Sequence, residues 1–183
     1  MILVSFGTRP EWIKIKPVLE QFEGRIPFKL LFTGQHTDLL QNVDTKYDLK
    51  KLKINDGENR LDSILNSVMN QEKIFDNIKA VMVQGDTTSA FAIALAAFHR
   101  KIKVIHLEAG LRTYDKYHPY PEEFNRQAIS RIADVHLCPT KLCASHLIDE
   151  KTQGRIEIVG NTVLDNLKEI VPQNSNKIVV TMH

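Results

Sequence analysis

Residues 80–108 read AVMVQGDTTSAFAIALAAFHRKIKVIHLE, and this stretch decides the fold. It opens with an apolar run of strand length and passes through Gly85, Asp86, Thr87 and Thr88. It then continues into SAFAIALAAF, residues 89–98, which is apolar on nearly every side, and a second apolar run follows at residues 104–108. Two strands without polar alternation, joined by such a helix, predict parallel neighbours in a sheet covered on both faces, with the helix the most buried of the set. The alternation extends in both directions. Further strands are expected at residues 2–6, 28–32, 135–138, 156–159 and 178–182, about seven in all, separated by helix-period stretches. The expected fold is therefore α/β: a Rossmann-like three-layer α/β/α domain with a mainly parallel sheet, occupying residues 1–183 as one domain.

Local signals place the helices. Pro10 opens the first, which carries Ile15, Val18, Leu19 and Phe22 on one side, and Pro17 is expected to bend it. Residues 61–78 read as one longer amphipathic helix. Phe124, Ala128 and Ile132 recur every four residues behind Pro121, and Thr140 is placed to cap the next helix. Gly160-Asn161-Thr162 stands between a strand and a last helix, while residues 41–59, polar and lysine-rich, fit a mobile loop as well as short structure. The run 178–182 followed by His183 stops where a strand-to-loop junction should begin, the pattern of a truncated chain.

Composition excludes more than it identifies. Lys and Arg total 24 against 22 Asp and Glu, a net charge of +2, so no lopsided field recruits nucleic acid or a membrane. The opening MILVSF lacks a basic flank and is too short for a signal peptide or a span, which predicts a cytoplasmic protein. Cys138 and Cys143 lack zinc-site spacing and read as buried free thiols. The seven histidines form no HExxH or HxH arrangement, so no metal is expected.

In an open parallel sheet, ligands collect at the carboxyl ends of the strands. There the sequence places Gly7-Thr8-Arg9-Pro10-Glu11, Gly85-Asp86-Thr87-Thr88, Glu108-Ala109-Gly110-Leu111-Arg112 and, across a loop with Tyr117, His118 and Tyr120, Glu122-Glu123-Phe124-Asn125-Arg126. Each has a plain structural alternative. Arg9 suits a surface ion pair as well as a diphosphate, and Asp86 suits a helix N-cap. Glu108 suits a pair with Arg112, the two glutamates suit a helix dipole, and His183 suits a polar chain end. Read together, three carboxylates with Arg9, Arg112 and Arg126 at one sheet edge suit proton transfer beside an anionic leaving group.

The stretches FGTRPEWIKIKP, GQHTDLL, QGDTTSAFA, HLEAGLRT, YPEEFNR and GNTVLDNL occur in the order and spacing of the non-hydrolysing UDP-N-acetylglucosamine 2-epimerases, and the chain resembles the first half of that family throughout. The resemblance implies a two-domain enzyme, similar to the GT-B glycosyltransferases, with the nucleotide sugar between two Rossmann-like halves. Its reaction interconverts UDP-GlcNAc and UDP-ManNAc by elimination of UDP and re-addition with C2 proton transfer, without a cofactor. It puts catalytic roles on Asp86, Glu108, Glu122 and His183. It also puts substrate contacts on Arg9 and Lys14, beside the rim arginines Arg112 and Arg126, and an effector segment at Gln35 and His36. The partners implied are a UDP-sugar, a missing C-terminal domain and a second copy in a homodimer. Which carboxylate removes the proton and which returns one stays open. An isolated half is expected to turn over little or not at all. Two other readings compete: a catalytically silent UDP-sugar-binding module, and a GT-B glycosyltransferase fragment in which Glu122 is dispensable.

Overall fold

A computed structural model of the chain describes residues 1–35, 46–54 and 57–167. Seven strands form one parallel sheet: β1 (Ile2–Phe6), β2 (Phe28–Phe32), β3 (Leu49–Lys51), β4 (Ala80–Gln84), β5 (Lys103–Leu107), β6 (Val135–Cys138) and β7 (Arg155–Ile158). Their order is β3-β2-β1-β4-β5-β6-β7, with every adjacent pair parallel. The chain winds outward from β1 to β3, then returns to β4 and winds the other way. The order therefore reverses between β1 and β4, where the loops leaving neighbouring strands diverge and open a crevice.

The helices are α1 (Arg9–Phe22), α2 (Arg60–Met69), α3 (Thr88–His99), α4 (Glu122–Ile132) and α5 (Lys141–Asp149), with 3-10 turns at Glu72–Phe75 and Thr162–Leu167. Trp12, Ile15 and Leu19 of α1 pack on Val4, Phe6, Leu30, Phe32, Met82 and Leu107, one face of the sheet. The opposite face presents Leu3, Leu31, Val81, Val83 and Val104 to α2, α3 and α4. Cys143, Ala144 and Leu147 of α5 close over Cys138 and Ile156. Both thiols are free and buried, as expected. The five alanines and Ile93 let α3 press its backbone close to the strands, and eight of its residues are buried, though Phe98 is half exposed.

One local expectation is corrected and others are filled in. Residues 61–78 do not make one helix: α2 ends at Met69 with Asn70 as its C-cap, a residue whose side chain competes for backbone partners. A 3-10 turn then carries Phe75 and Ile78 into the core ahead of β4. Within the polar 41–59 region, β3 is a short edge strand paired with β2. Pro17 does not interrupt α1. It has no N–H for the Ile13 carbonyl, and Asn166 donates Nδ2–H to that oxygen instead at 2.9 Å. The strand expected at 178–182 lies outside the described residues.

Candidate active site

The carboxyl ends of β1, β4 and β5 and the start of α4 converge on one rim. The loop after β1 is fixed from within. Thr8 caps α1 and Glu11 reaches back, accepting from the backbone N–H groups of Gly7 and Thr8 at 2.8 and 2.7 Å and from the Thr8 hydroxyl at 2.8 Å. Its other oxygen accepts from Thr87 Oγ1 at 2.7 Å, which ties this loop to the one after β4. Burial pushes the Glu11 carboxyl above its usual range, and the hydrogen bonds from Thr87, Gly7 and Thr8 oppose that rise. Gly7 permits the close approach: a Cβ there would lie 2.4 Å from Thr33 Oγ1 and 2.6 Å from Ser89 Oγ.

Asp86 does not cap α3. Thr87 does, accepting from Ala90 N–H at 3.1 Å, so the Asp86 carboxylate is free to face the rim. It meets Arg126 Nη2 at 3.0 Å, and its backbone carbonyl accepts from Asn125 Nδ2 at 2.9 Å. Burial raises its carboxyl above the usual range. Arg126 opposes the shift, the charges of Glu122 and Glu108 add to it, and Lys14 opposes it. Four segments distant in sequence thus share one electrostatic environment.

Glu108 is the residue at which β5 leaves the sheet. Its φ of 65° lies in the left-handed region, which costs a non-glycine residue about 1–3 kcal/mol and persists only where neighbours enforce it. The enforcers are visible. Lys14 Nζ donates to both carboxylate oxygens at 2.8 and 2.6 Å, and Gln84 Nε2 donates to Oε2. The alternative pairing with Arg112 is not formed. Arg112 turns inward: its side chain is fully buried, with Nε and Nη2 on Glu150 at 2.7 and 3.0 Å, Nη2 also on Ser130 Oγ at 2.8 Å, and Nη1 on the Leu111 carbonyl. Four of its five N–H groups are thus engaged, which secures the loop to α4 and α5 instead of making the expected substrate contact at the rim.

Glu122 opens α4 half-buried, and its carboxylate makes no hydrogen bond or ion pair among the described residues. Arg9, at the first position of α1, is exposed and likewise uncommitted. Gln35 is engaged: its Oε1 accepts from Ser89 N–H and Oγ at 3.1 and 2.9 Å, satisfying the first turn of α3. His36 and His183 lie outside the described residues. The rim thus gathers Asp86, Glu108, Glu122, Lys14 and Arg126, with Arg9 at its border, and does not gather Arg112.

Three supporting side chains escaped sequence reasoning. The Thr8-to-Glu11 spacing is itself a capping-box signal that marks Glu11. Glu123 is fully buried beneath the rim, whereas its neighbour Glu122 is not. His106 is fully buried on β5, and its Nε2–H donates to the Gly85 carbonyl at 2.8 Å, immediately before Asp86. Burial pushes the His106 imidazole down to about 3, so it stays neutral, with Nδ1 unpartnered among the described residues.

Chemically, the rim offers half-buried carboxylates in unequal environments next to fixed cations, which suits moving a proton beside a departing anion. No group of side chains with metal-binding geometry occurs among the described residues. No described helix is long and apolar enough to cross a membrane.

Comparison with known proteins adds a family. The model of the UDP-N-acetylglucosamine 2-epimerase family matches residues 20–182. The chain is 42% identical over 175 residues to the UDP-N-acetylglucosamine 2-epimerase of Campylobacter jejuni, covering 91% of this chain and 46% of that protein. The solved structure of UDP-GlcNAc 2-epimerase from Neisseria meningitidis bound to UDP-GlcNAc aligns at TM-score 0.82 and 38% identity, covering 91% of this chain and 48% of that one. The S. aureus MnaA–UDP co-structure aligns at TM-score 0.81 and 37% identity, covering 96% and 49%. These likenesses support the Rossmann-like, GT-B-like assignment of the fold. The chain spans about half the length of the curated relatives it matches. A family match over most of the sequence, together with relatives at this identity, shows that the chain belongs to the UDP-N-acetylglucosamine 2-epimerase family.

Proposed function

We propose that this chain is the N-terminal, proton-transferring half of an enzyme interconverting UDP-GlcNAc and UDP-ManNAc. The observation that carries the reading is the meeting of Asp86, Glu108 and Glu122 with Lys14 and Arg126 at the point where strand order reverses. In the reaction a carboxylate takes the C2 proton while the C1–O bond to UDP breaks. The C2–H electron pair becomes the C1–C2 double bond, and UDP leaves carrying the electron pair of the C1–O bond. Re-addition of the UDP oxygen at C1, with a proton delivered to C2 from the opposite face, gives the epimer. No electrons are gained or lost overall.

Lys14 and Arg126, with exposed Arg9 at the border, supply positive charge on the side where diphosphate charge develops. Asp86, its carboxyl raised by burial, holds a proton more readily than an ordinary aspartate and is suited to exchanging one. The assignment of base and acid among the three carboxylates is left to experiment. A second, C-terminal half holds the nucleotide from the other side of the cleft, His183 adds its imidazole to the site, and Gln35-His36 contributes to effector binding. The assembled enzyme is a cytoplasmic homodimer, and the half alone turns over negligibly.

The test joins this chain to the second half of the Campylobacter jejuni enzyme and follows UDP-GlcNAc by proton NMR. Appearance of UDP-ManNAc from the fusion, and not from the isolated chain, is expected. A folded fusion that binds UDP-GlcNAc without making the epimer would replace the reading with a silent binding module. Transfer of the sugar to an acceptor would replace it with a glycosyltransferase.

A further inference from the structure

The two adjacent acids that open α4 have opposite fates. Glu122 is uncommitted, whereas Glu123 has no exposed surface. Glu123 Oε1 accepts from Tyr114 N–H at 3.0 Å and from Gln127 Nε2 at 2.7 Å. Its Oε2 accepts from Thr113 N–H at 3.0 Å and lies 3.4 Å from Arg126 Nε. Tyr114 has φ of 62°, so the carboxylate grips the loop where its backbone is strained. Arg126 is itself almost buried, and its other arm reaches Asp86 Oδ2 at 3.0 Å. A continuous chain therefore runs from the 113–114 backbone through Glu123 and Arg126 to Asp86.

We propose that Glu123 is a positioning residue: it holds the Arg126 guanidinium in register with Asp86 and fastens the 113–114 loop that leads into Glu122. The Arg126 Nε–H donates to the Glu122 carbonyl at 3.4 Å, and the fixed Glu123 charge beside Nε holds one end of the rigid guanidinium plane while Nη2 reaches Asp86. An ammonium has no such plane to hold. Burial works against the Glu123 charge, yet the bonds from Gln127, Thr113 and Tyr114, together with Arg126, hold its carboxyl below the usual range and keep it an anion. The groups facing Asp86 are Arg126 and Glu122 from α4, Glu108 from the end of β5 and Lys14 from α1. Glu123 acts on Asp86 only through Arg126. The consequence for catalysis rests on the proposed role of Asp86, but the positioning does not.

Two effects of removing the Glu123 charge oppose each other, and this makes the idea testable. As a mere negative charge, its loss would lower the Asp86 carboxyl. As the tether of Arg126, its loss frees the guanidinium to swing away and raises it. The experiment is a carbon-detected NMR titration of the 183-residue chain labelled in the aspartate carboxyl groups, with Asp86 assigned from D86N. The wild type is compared with E123Q, R126M and R126K. Asp86 is expected to titrate higher in E123Q, in the direction of R126M, and also higher in R126K, which keeps the charge but cannot bridge. The Thr113 and Tyr114 amides are expected to exchange faster with solvent in E123Q. A downward or absent shift in E123Q overturns the proposal. If E123Q fails to fold, an unchanged Asp86 in R126K does so. The titration needs neither substrate nor turnover. Epimerisation failing while the shifts appear would refute the functional reading alone, and the reverse outcome would refute the positioning alone.

Discussion

The central strands end in two very different rims. At the amino ends of β5, β6 and β7 lies a groove of about 620 Å³, lined by Phe98, His99, Lys103, Arg131, Asp134 and Gln153 among others. At the carboxyl ends of β4 and β5 and the start of α4 lies the cluster of Asp86, Glu108 and Glu122. Each rim holds a carboxylate close to a cation. Asp134 is partly desolvated, but hydrogen bonds from Lys103 Nζ at 2.6 Å and Val104 N–H at 2.9 Å hold its carboxyl below the usual range. Asp86 has its cation too, yet burial and two neighbouring acids carry it upward. An acid whose acceptor sites are filled is a strut, whereas an acid kept short of solvent and crowded by like charge is ready to exchange a proton. The amino-end groove is therefore not where the chemistry is expected.

Substitutions at the two rims should separate accordingly. The largest effect belongs to Glu122→Gln in the joined, full-length context. UDP-ManNAc formation is expected to fall by roughly 10²–10⁴-fold, the usual contribution of a positioned acid or base, with folding unchanged. Undiminished activity would favour the glycosyltransferase reading. In stability, Arg112→Met is expected to cost about 3 kcal/mol, because it breaks a largely buried pair and leaves Glu150 only the more distant Arg131 at 3.7 Å. Urea unfolding measures it, and a loss near zero would mean that Arg112 is not the staple described here. The loss should shrink as pH falls through the Glu150 titration. Its carboxyl is depressed by Arg112, so that stabilisation is present above the unfolded-state value and disappears on protonation.

Asp86→Asn should behave in the opposite sense. The folded-state carboxyl titrates above the unfolded one, so the native chain holds its proton more tightly and the wild type loses stability as pH rises through the interval between the two values. The asparagine variant is expected to be more stable at neutral pH, with the advantage fading in acid. A variant destabilised at neutral pH would contradict the strain assigned to Asp86. The smallest effect belongs to the amino rim. Lys103→Met removes a mostly exposed pair and is expected to change stability by less than about 1 kcal/mol and epimerisation not at all.

What was legible in the sequence followed local rules. Apolar runs bounded by Gly or Pro located β1, β2, β4 and β6 to the residue. β5 lies one residue earlier than expected because Glu108 takes a left-handed backbone, which composition does not announce. The acids at the strand ends were legible as a group, since parallel topology places all such ends on one rim. Their pairings were not. Lys14 and Glu108 are 94 positions apart, Arg112 and Glu150 are 38 apart, and only the folded sheet decides that Arg112 serves α5 while Lys14 serves the rim. The Glu122-Glu123 pair makes the same point at its smallest scale. One residue of helical rotation, about 100° around the axis, separates an acid facing the crevice from one buried under a loop.

The central claim is that one rim, and not the other, exchanges the C2 proton. Its most direct test is washout of deuterium from UDP-GlcNAc labelled at C2, using this chain joined to a complementing second half and the variants D86N, E108Q, E122Q and D134N. Washout is expected in the wild type and in D134N, with severe loss in the three carboxyl-rim variants. Washout that survives in all three, or that disappears with D134N in a folded protein, would contradict it.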